Sequence, residues 1–128
     1  MTEAVNHPSH YNAGGPIGAD GTAQFEVIKI IDDLGLGFAF CMGNALKYVL
    51  RASHKGTQKQ DLDKAQWYLR RALTYPDRMM QAPVARRVSI MEASKAWDLK
   101  PELTTVVEAI SEGNPERALT FISRYEVR

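Results

Sequence analysis

In the segment FAFCMGNALKYVLRASHKG, Asn44, Lys47, Arg51 and Lys55 stand at offsets of zero, three, seven and eleven within an otherwise apolar stretch. At ~100° per residue, these four side chains share one narrow face of a helix. Three cations on such a face are suited to phosphate: lysine brings a mobile point charge, arginine a planar fork that grips two oxygens. Asn44 donates or accepts beside them. Phe40 and Tyr48 edge the face, and charge beside rings suits a nucleotide, with phosphates on the cations and the base against a ring. The same stripe equally describes a solvated face paired to Asp61, Asp63 or a neighbouring chain.

A second group lies in HPSHYN. His7 and His10 are suited to donating to phosphate or exchanging protons near neutral pH. Pro8 and the lack of a cysteine or carboxylate partner at ligand spacing argue against a metal, so no metal or cofactor is expected. The loop is expected to act as a ligand-contacting lid, or to be pinned by hydrogen bonds and by packing of Tyr11. The following Gly14–Gly21 stretch reads as a hinge: it contains no GxxxxGK[ST], and it does not form a GxGxxG turn inside a βαβ unit. The first three helices have no ExxE or ExxD, which disfavours magnesium-dependent hydrolysis. Cys41 falls on an apolar face and reads as inert core.

The elements that hold these groups follow from apolar spacing. Pro8, Gly14-Gly15-Pro16, Gly18 and Gly21 make residues 1–23 an irregular arm. QFEVIKIIDDL predicts a first helix from Gln24 to Leu34, stopped by Gly35 and Gly37. A second runs from Phe38 to Ala52, with Phe38, Cys41, Met42, Ala45, Leu46 and Val49 as its core face. The third, QDLDKAQWYLRRALTY, is capped by Asp61 and ends before Pro76. Its core stripe is Leu62, Ala65, Leu69, Ala72 and Leu73. Its outward face is expected to carry Asp63, Lys64, Trp67, Tyr68, Arg70 and Arg71, with an exposed Trp67 marking a subunit contact or a base-stacking ring. After a linker come three shorter helices: Val84–Trp97, Pro101–Glu112 and one that Asn114 caps after Gly113. The expected fold class is all-α: an arm over 1–23, a helical core over 24–75 and a three-helix C-terminal extension over 76–128.

The totals narrow the classes. A chain of 128 residues, 45% hydrophobic and 24% charged, has the composition of one ordinary globular domain. A net charge of +1 gives no global footprint for duplex nucleic acid, so any anion site is local. A single cysteine and the absence of a bilayer-length apolar run or a secretory signal predict a cytoplasmic protein with no membrane partner. The short chain and Trp67 predict a homo-oligomer.

HPSHYN, FEVIKIIDDL, MGNALKYVLRASHKG and DLDKAQWYLRR, in that order over about residues 6–71, resemble a family of small bacteriophage proteins of the SaV-like type. One branch of that family is a podophage nucleotide kinase acting on deoxynucleoside monophosphates without a Walker loop or a divalent metal. The resemblance implies a nucleotide site in which Lys47, Arg51 and His10 are catalytic. His7, Tyr11, Asn44, Tyr48, Lys55, Asp61, Lys64, Trp67 and Tyr68 would bind the nucleotide. Without a metal, side chains must neutralise the charge between donor and acceptor phosphates. This chain departs from the pattern in its longer GGPIGADGTAQ loop and in everything after about residue 76.

The expected function is therefore a phage nucleotide-binding protein acting as a metal-independent (deoxy)nucleoside monophosphate kinase in the host cytoplasm. The alternatives are a protein that sequesters a nucleotide or nucleotide signal without turnover, a structural or regulatory oligomer without ligand, and a single-strand nucleic-acid binder.

Overall fold

The apolar spacing resolves into helices with no strand among the described residues, which in this computed structural model are 27–52, 56, 58–79, 92 and 94–125. The fold is all-α, and five helices carry it: α1 (Val27–Asp33), α2 (Gly37–Ala52), α3 (Gln58–Ala72), α4 (Pro101–Ser111) and α5 (Pro115–Arg124). The arm over 1–23, the start of the first predicted helix and most of Val84–Trp97 lie outside the described residues. No described helix is long and apolar enough to cross a membrane.

α2 and α3 form the central hairpin. Phe40 meets Tyr68 while Tyr48 meets Lys64, so the start of one helix lies against the end of the other. The seam is built from small and medium side chains at helical spacing: Cys41, Ala45, Val49 and Ala52 from α2, and Leu62, Ala65, Leu69 and Ala72 from α3, all buried. α4 packs on α2, and α5 packs on α3. Leu103, Val106, Val107, Ile110, Ala118 and Ile122 thus join the same apolar cluster as the hairpin. The C-terminal helices close the core on which the hairpin rests.

The junction of the last two helices follows its sequence signals. Gly113 takes φ +69, which a side chain disfavours, and the Asn114 N–H reaches back to the Ala109 carbonyl at 2.9 Å. Asn114 Oδ1 then accepts from the Arg117 N–H at 3.0 Å, capping α5, with Pro115 in the first turn. Pro101 likewise opens α4.

Several expectations need correction. α3 begins at Gln58, so Asp61 lies in its first turn instead of capping it, and is only 2% exposed. α3 ends at Ala72, which leaves Leu73 39% exposed, off the core stripe. The turn after Ala72 brings Tyr75 back onto α1, where its hydroxyl donates to Asp32. Tyr68, expected outside, is buried, and Arg71 is turned inward to Asp32. Trp67 is half-buried against the core, and it is Trp97 that stands exposed. The ground for reading Trp67 as an exposed subunit contact is therefore gone. On α1, Ile28 alone is buried, while Val27, Ile30 and, just past its end, Leu34 are exposed.

Candidate anion-binding site

The α2–α3 hairpin brings two separate charge groups to one ring. Lys47, Tyr48 and Arg51 lie within a turn of each other on α2, and Lys64 comes across from α3. Lys47 Nζ is 4.5 Å from the centroid of Tyr48, Lys64 Nζ 5.3 Å and the Arg51 guanidinium carbon 5.6 Å. Any two of the three charges are therefore separated by at most about twice the distance of either from that ring.

The ring that gathers them is itself held. Tyr48 stacks on Tyr68 with centroids 6.0 Å apart and planes 13° from parallel. Tyr68 in turn receives Phe40 edge-on at 6.0 Å and Trp67 edge-on at 5.0 Å. Tyr68 is thus the hub of a four-ring cluster that anchors Tyr48. Tyr48, expected to hold a base, is engaged by Tyr68 and by the cations; it serves as their platform. Each cation–ring contact is worth ~0.5–1 kcal/mol at an exposed position. At the largest separation these distances allow, ~10 Å, mutual repulsion costs ~0.4 kcal/mol per pair in water and ~1.7 kcal/mol at an effective dielectric of ~20, and closer approach costs more. The repulsion thus at least rivals the ring contacts, and an added anion would tip the balance towards order.

These three cations share the lack of a carboxylate with Lys100 and Arg124 among the described residues, and differ from them in gathering on one ring, whereas five other cations are paired. Lys59 pairs with Asp63 at 3.1 Å, Arg71 with Asp32 at 2.8 Å, Arg78 with Glu116, Lys95 with Glu92, and Arg117 with Glu108 and Glu112. Among the described residues, Lys47, Arg51 and Lys64 form no ion pair. Arg51 Nε is also buried without a hydrogen-bond partner, a donor whose desolvation costs ~1–3 kcal/mol when unmet. Asp63, which a solvated stripe would recruit, is taken by Lys59.

Of the residues expected in the site, Asn44, Lys47, Tyr48, Arg51, Lys64 and Tyr68 are brought together by the hairpin. Trp67 stands one ring removed, against Tyr68. His7, His10, Tyr11 and Lys55 lie outside the described residues. A second polar cluster escaped the sequence reading. Asp32 accepts from Arg71 and Tyr75, tying α1 to the end of α3, and Gly37 sits so close that a Cβ there would strike both Tyr75 and Asp32. Cys41 lies beneath this clamp. Burial pushes its thiol up to about 12, against the weaker opposing effect of a Tyr75 hydrogen bond, so it is neutral and unreactive. Partners some forty residues apart leave no local signal of such a clamp. A separate groove of about 680 Å³ between α3 and the end of α5, with Leu62, Asp63, Ile122 and Tyr125 among its walls, includes none of the three cations.

Residues 5–70, just over half of the chain, match a protein-family model described as a protein of unknown function (DUF3310). No curated protein and no solved structure matches the chain.

Proposed function

The chain belongs to the DUF3310 family, a membership that specifies no chemistry, and we propose from the site itself that it is a nucleotide-binding protein. Lys47, Arg51 and Lys64 hold the phosphates. The observation that carries this reading is three cations gathered on one anchored ring with no carboxylate among them, while ion pairs such as Lys59–Asp63 and Arg71–Asp32 form elsewhere.

The resemblance to the phage nucleotide kinases extends the proposal to a metal-independent (deoxy)nucleoside monophosphate kinase acting in the cytoplasm. In that reaction an oxygen of the acceptor monophosphate attacks the terminal phosphorus of a triphosphate. The new P–O bond forms as the bond to the donor's bridging oxygen breaks, and the donor leaves as a diphosphate. The attacking oxygen is already ionised, so no base is required, and the bridging oxygen takes up its charge as the diphosphate leaves. The cations balance the charge on the three equatorial oxygens and bring the two phosphates into line. His7, His10, Tyr11 and Lys55 enter this reading through the sequence and the resemblance, since they lie outside the described residues.

The test is calorimetry of the purified protein against nucleoside mono- and triphosphates in the presence of a chelator, followed by anion-exchange chromatography of each mixture. Binding together with new diphosphate peaks, both lost in Lys47→Ala and Arg51→Ala, is the expected result. Binding with unchanged nucleotides would replace catalysis by sequestration. No binding would sink the nucleotide reading and leave the cluster as a contact to another subunit's acidic groups.

A further inference from the structure

Asn44 occupies the cationic face of α2, three residues before Lys47 and four before Tyr48. Its Nδ2 donates to the Phe40 carbonyl at 2.9 Å, one turn back along its own helix. A carbonyl oxygen only accepts, so the amide must present its nitrogen to Phe40. That leaves Oδ1 as the end of the amide that remains for another molecule, and no described residue donates to it. The three neighbouring cationic side chains carry donors and no acceptor. Oδ1 therefore adds to the cluster the one kind of group that an ionised phosphate cannot use.

We infer that Asn44 sets the specificity of the site by accepting a hydrogen bond from a sugar hydroxyl of the bound nucleotide. This inference rests on the phosphate-binding reading above. Ionised phosphate oxygens are acceptors, and facing Oδ1 they would meet repulsion. A ligand that satisfies both the cations and Asn44 must be anionic at one end and carry a donor close by. Three residues, a rise of ~4.5 Å, separate Asn44 from the lysine level, a distance that places the donor next to the phosphate and not at the far edge of a base. Inorganic phosphate and pyrophosphate meet the cations alone. A nucleoside monophosphate with a free 3′-hydroxyl meets both.

The experiment compares three probes by calorimetry: inorganic pyrophosphate, a deoxynucleoside monophosphate and its 3′-deoxy analogue, which differs only by the missing hydroxyl. The native protein should bind the hydroxylated nucleotide about five- to tenfold more tightly than the analogue, the worth of one hydrogen bond whose loss leaves a partner unmet. In Asn44→Ala that ratio should fall to about one, with pyrophosphate binding unchanged within about twofold. Alanine is a better helix former than asparagine, so the variant should keep its fold. Equal binding of the two nucleotides by the native protein would overturn the role of Asn44, and needs no variant. So would an Asn44→Ala loss shared equally by pyrophosphate. If pyrophosphate fails to bind, or binds undiminished to Lys47→Ala, the cation site itself falls; if its binding depends on Lys47 while the nucleotides are not distinguished, Asn44 alone loses its role.

Discussion

Arg51 and Arg71 are the same residue type in opposite circumstances. Arg71 Nη2 lies 2.8 Å from Asp32, the two side chains are 19% and 24% exposed, and Tyr75 shares the carboxylate. Removing one member of so enclosed a pair leaves the other charge without its partner. Arg71→Ala should therefore lower stability by about 1–3 kcal/mol. Arg51 has no carboxylate, and one of its donors is buried unmet. Arg51→Ala relieves that donor and two repulsions, with Lys47 and with Lys64, while it gives up one cation–ring contact. Its unfolding free energy should move little, by less than about 0.5 kcal/mol, although ligand binding is lost. Urea titration of both variants beside the binding assay separates an arginine that holds the fold from one that waits for a ligand. Equal destabilisation would remove that distinction.

At the scale of the helix, two glycines of α2 have opposite reasons for being there. Gly37, at its first residue, lies where a Cβ would collide with the Tyr75 ring and the Asp32 carboxylate. Gly37→Ala gains helix propensity but forces the clamp apart, and the packing cost of about 1–3 kcal/mol should prevail. Gly43 sits in the middle of the same helix, exposed, with open space where a Cβ would go. There nothing opposes the gain in helix propensity. Gly43→Ala should stabilise the protein by about 0.5–1 kcal/mol. Opposite signs in thermal melts are the expected outcome. Two shifts of the same sign would mean that the clamp does not constrain the start of α2.

For the whole molecule, the site depends on helices that contribute no residue to it. α2 and α3 present the cations and rings on one side. On the other, their seam is covered by α4 and α5 through Leu103, Val106, Val107, Ala118 and Ile122, each at most 2% exposed. Loss of several large buried side chains, at about 2–5 kcal/mol each, exceeds the stability of a domain this size. A chain ending at Leu99 should therefore lose its cooperative thermal transition and the ligand site together, as followed by circular dichroism and calorimetry. A cooperative, ligand-binding fragment would instead make the hairpin an independent domain. The family match stops at residue 70, before α4 and α5 begin, so within this chain the matched segment relies on helices C-terminal to it.

Much of this was legible in the residues themselves, because it rests on local periodicity. A spacing of 3.6 residues places Asn44, Lys47, Tyr48 and Arg51 on one face and Cys41, Ala45 and Val49 on another whatever surrounds the helix. The Gly113-Asn114-Pro115 junction is also local, since its hydrogen bonds span only a few residues. The same periodicity marks Val27, Ile30 and Leu34 as one apolar face, but it says nothing of what that face meets, and among the described residues it stays exposed. Only the tertiary structure decided which side chains meet across helices. It placed Lys64 on Tyr48, turned Tyr68 inward, matched Arg71 with Asp32 across thirty-nine residues, and left Lys47, Arg51 and Lys64 without carboxylates. Those outcomes depend on how one helix is rotated and shifted against another. A pattern within a single helix does not specify them, and the packing of the whole core does.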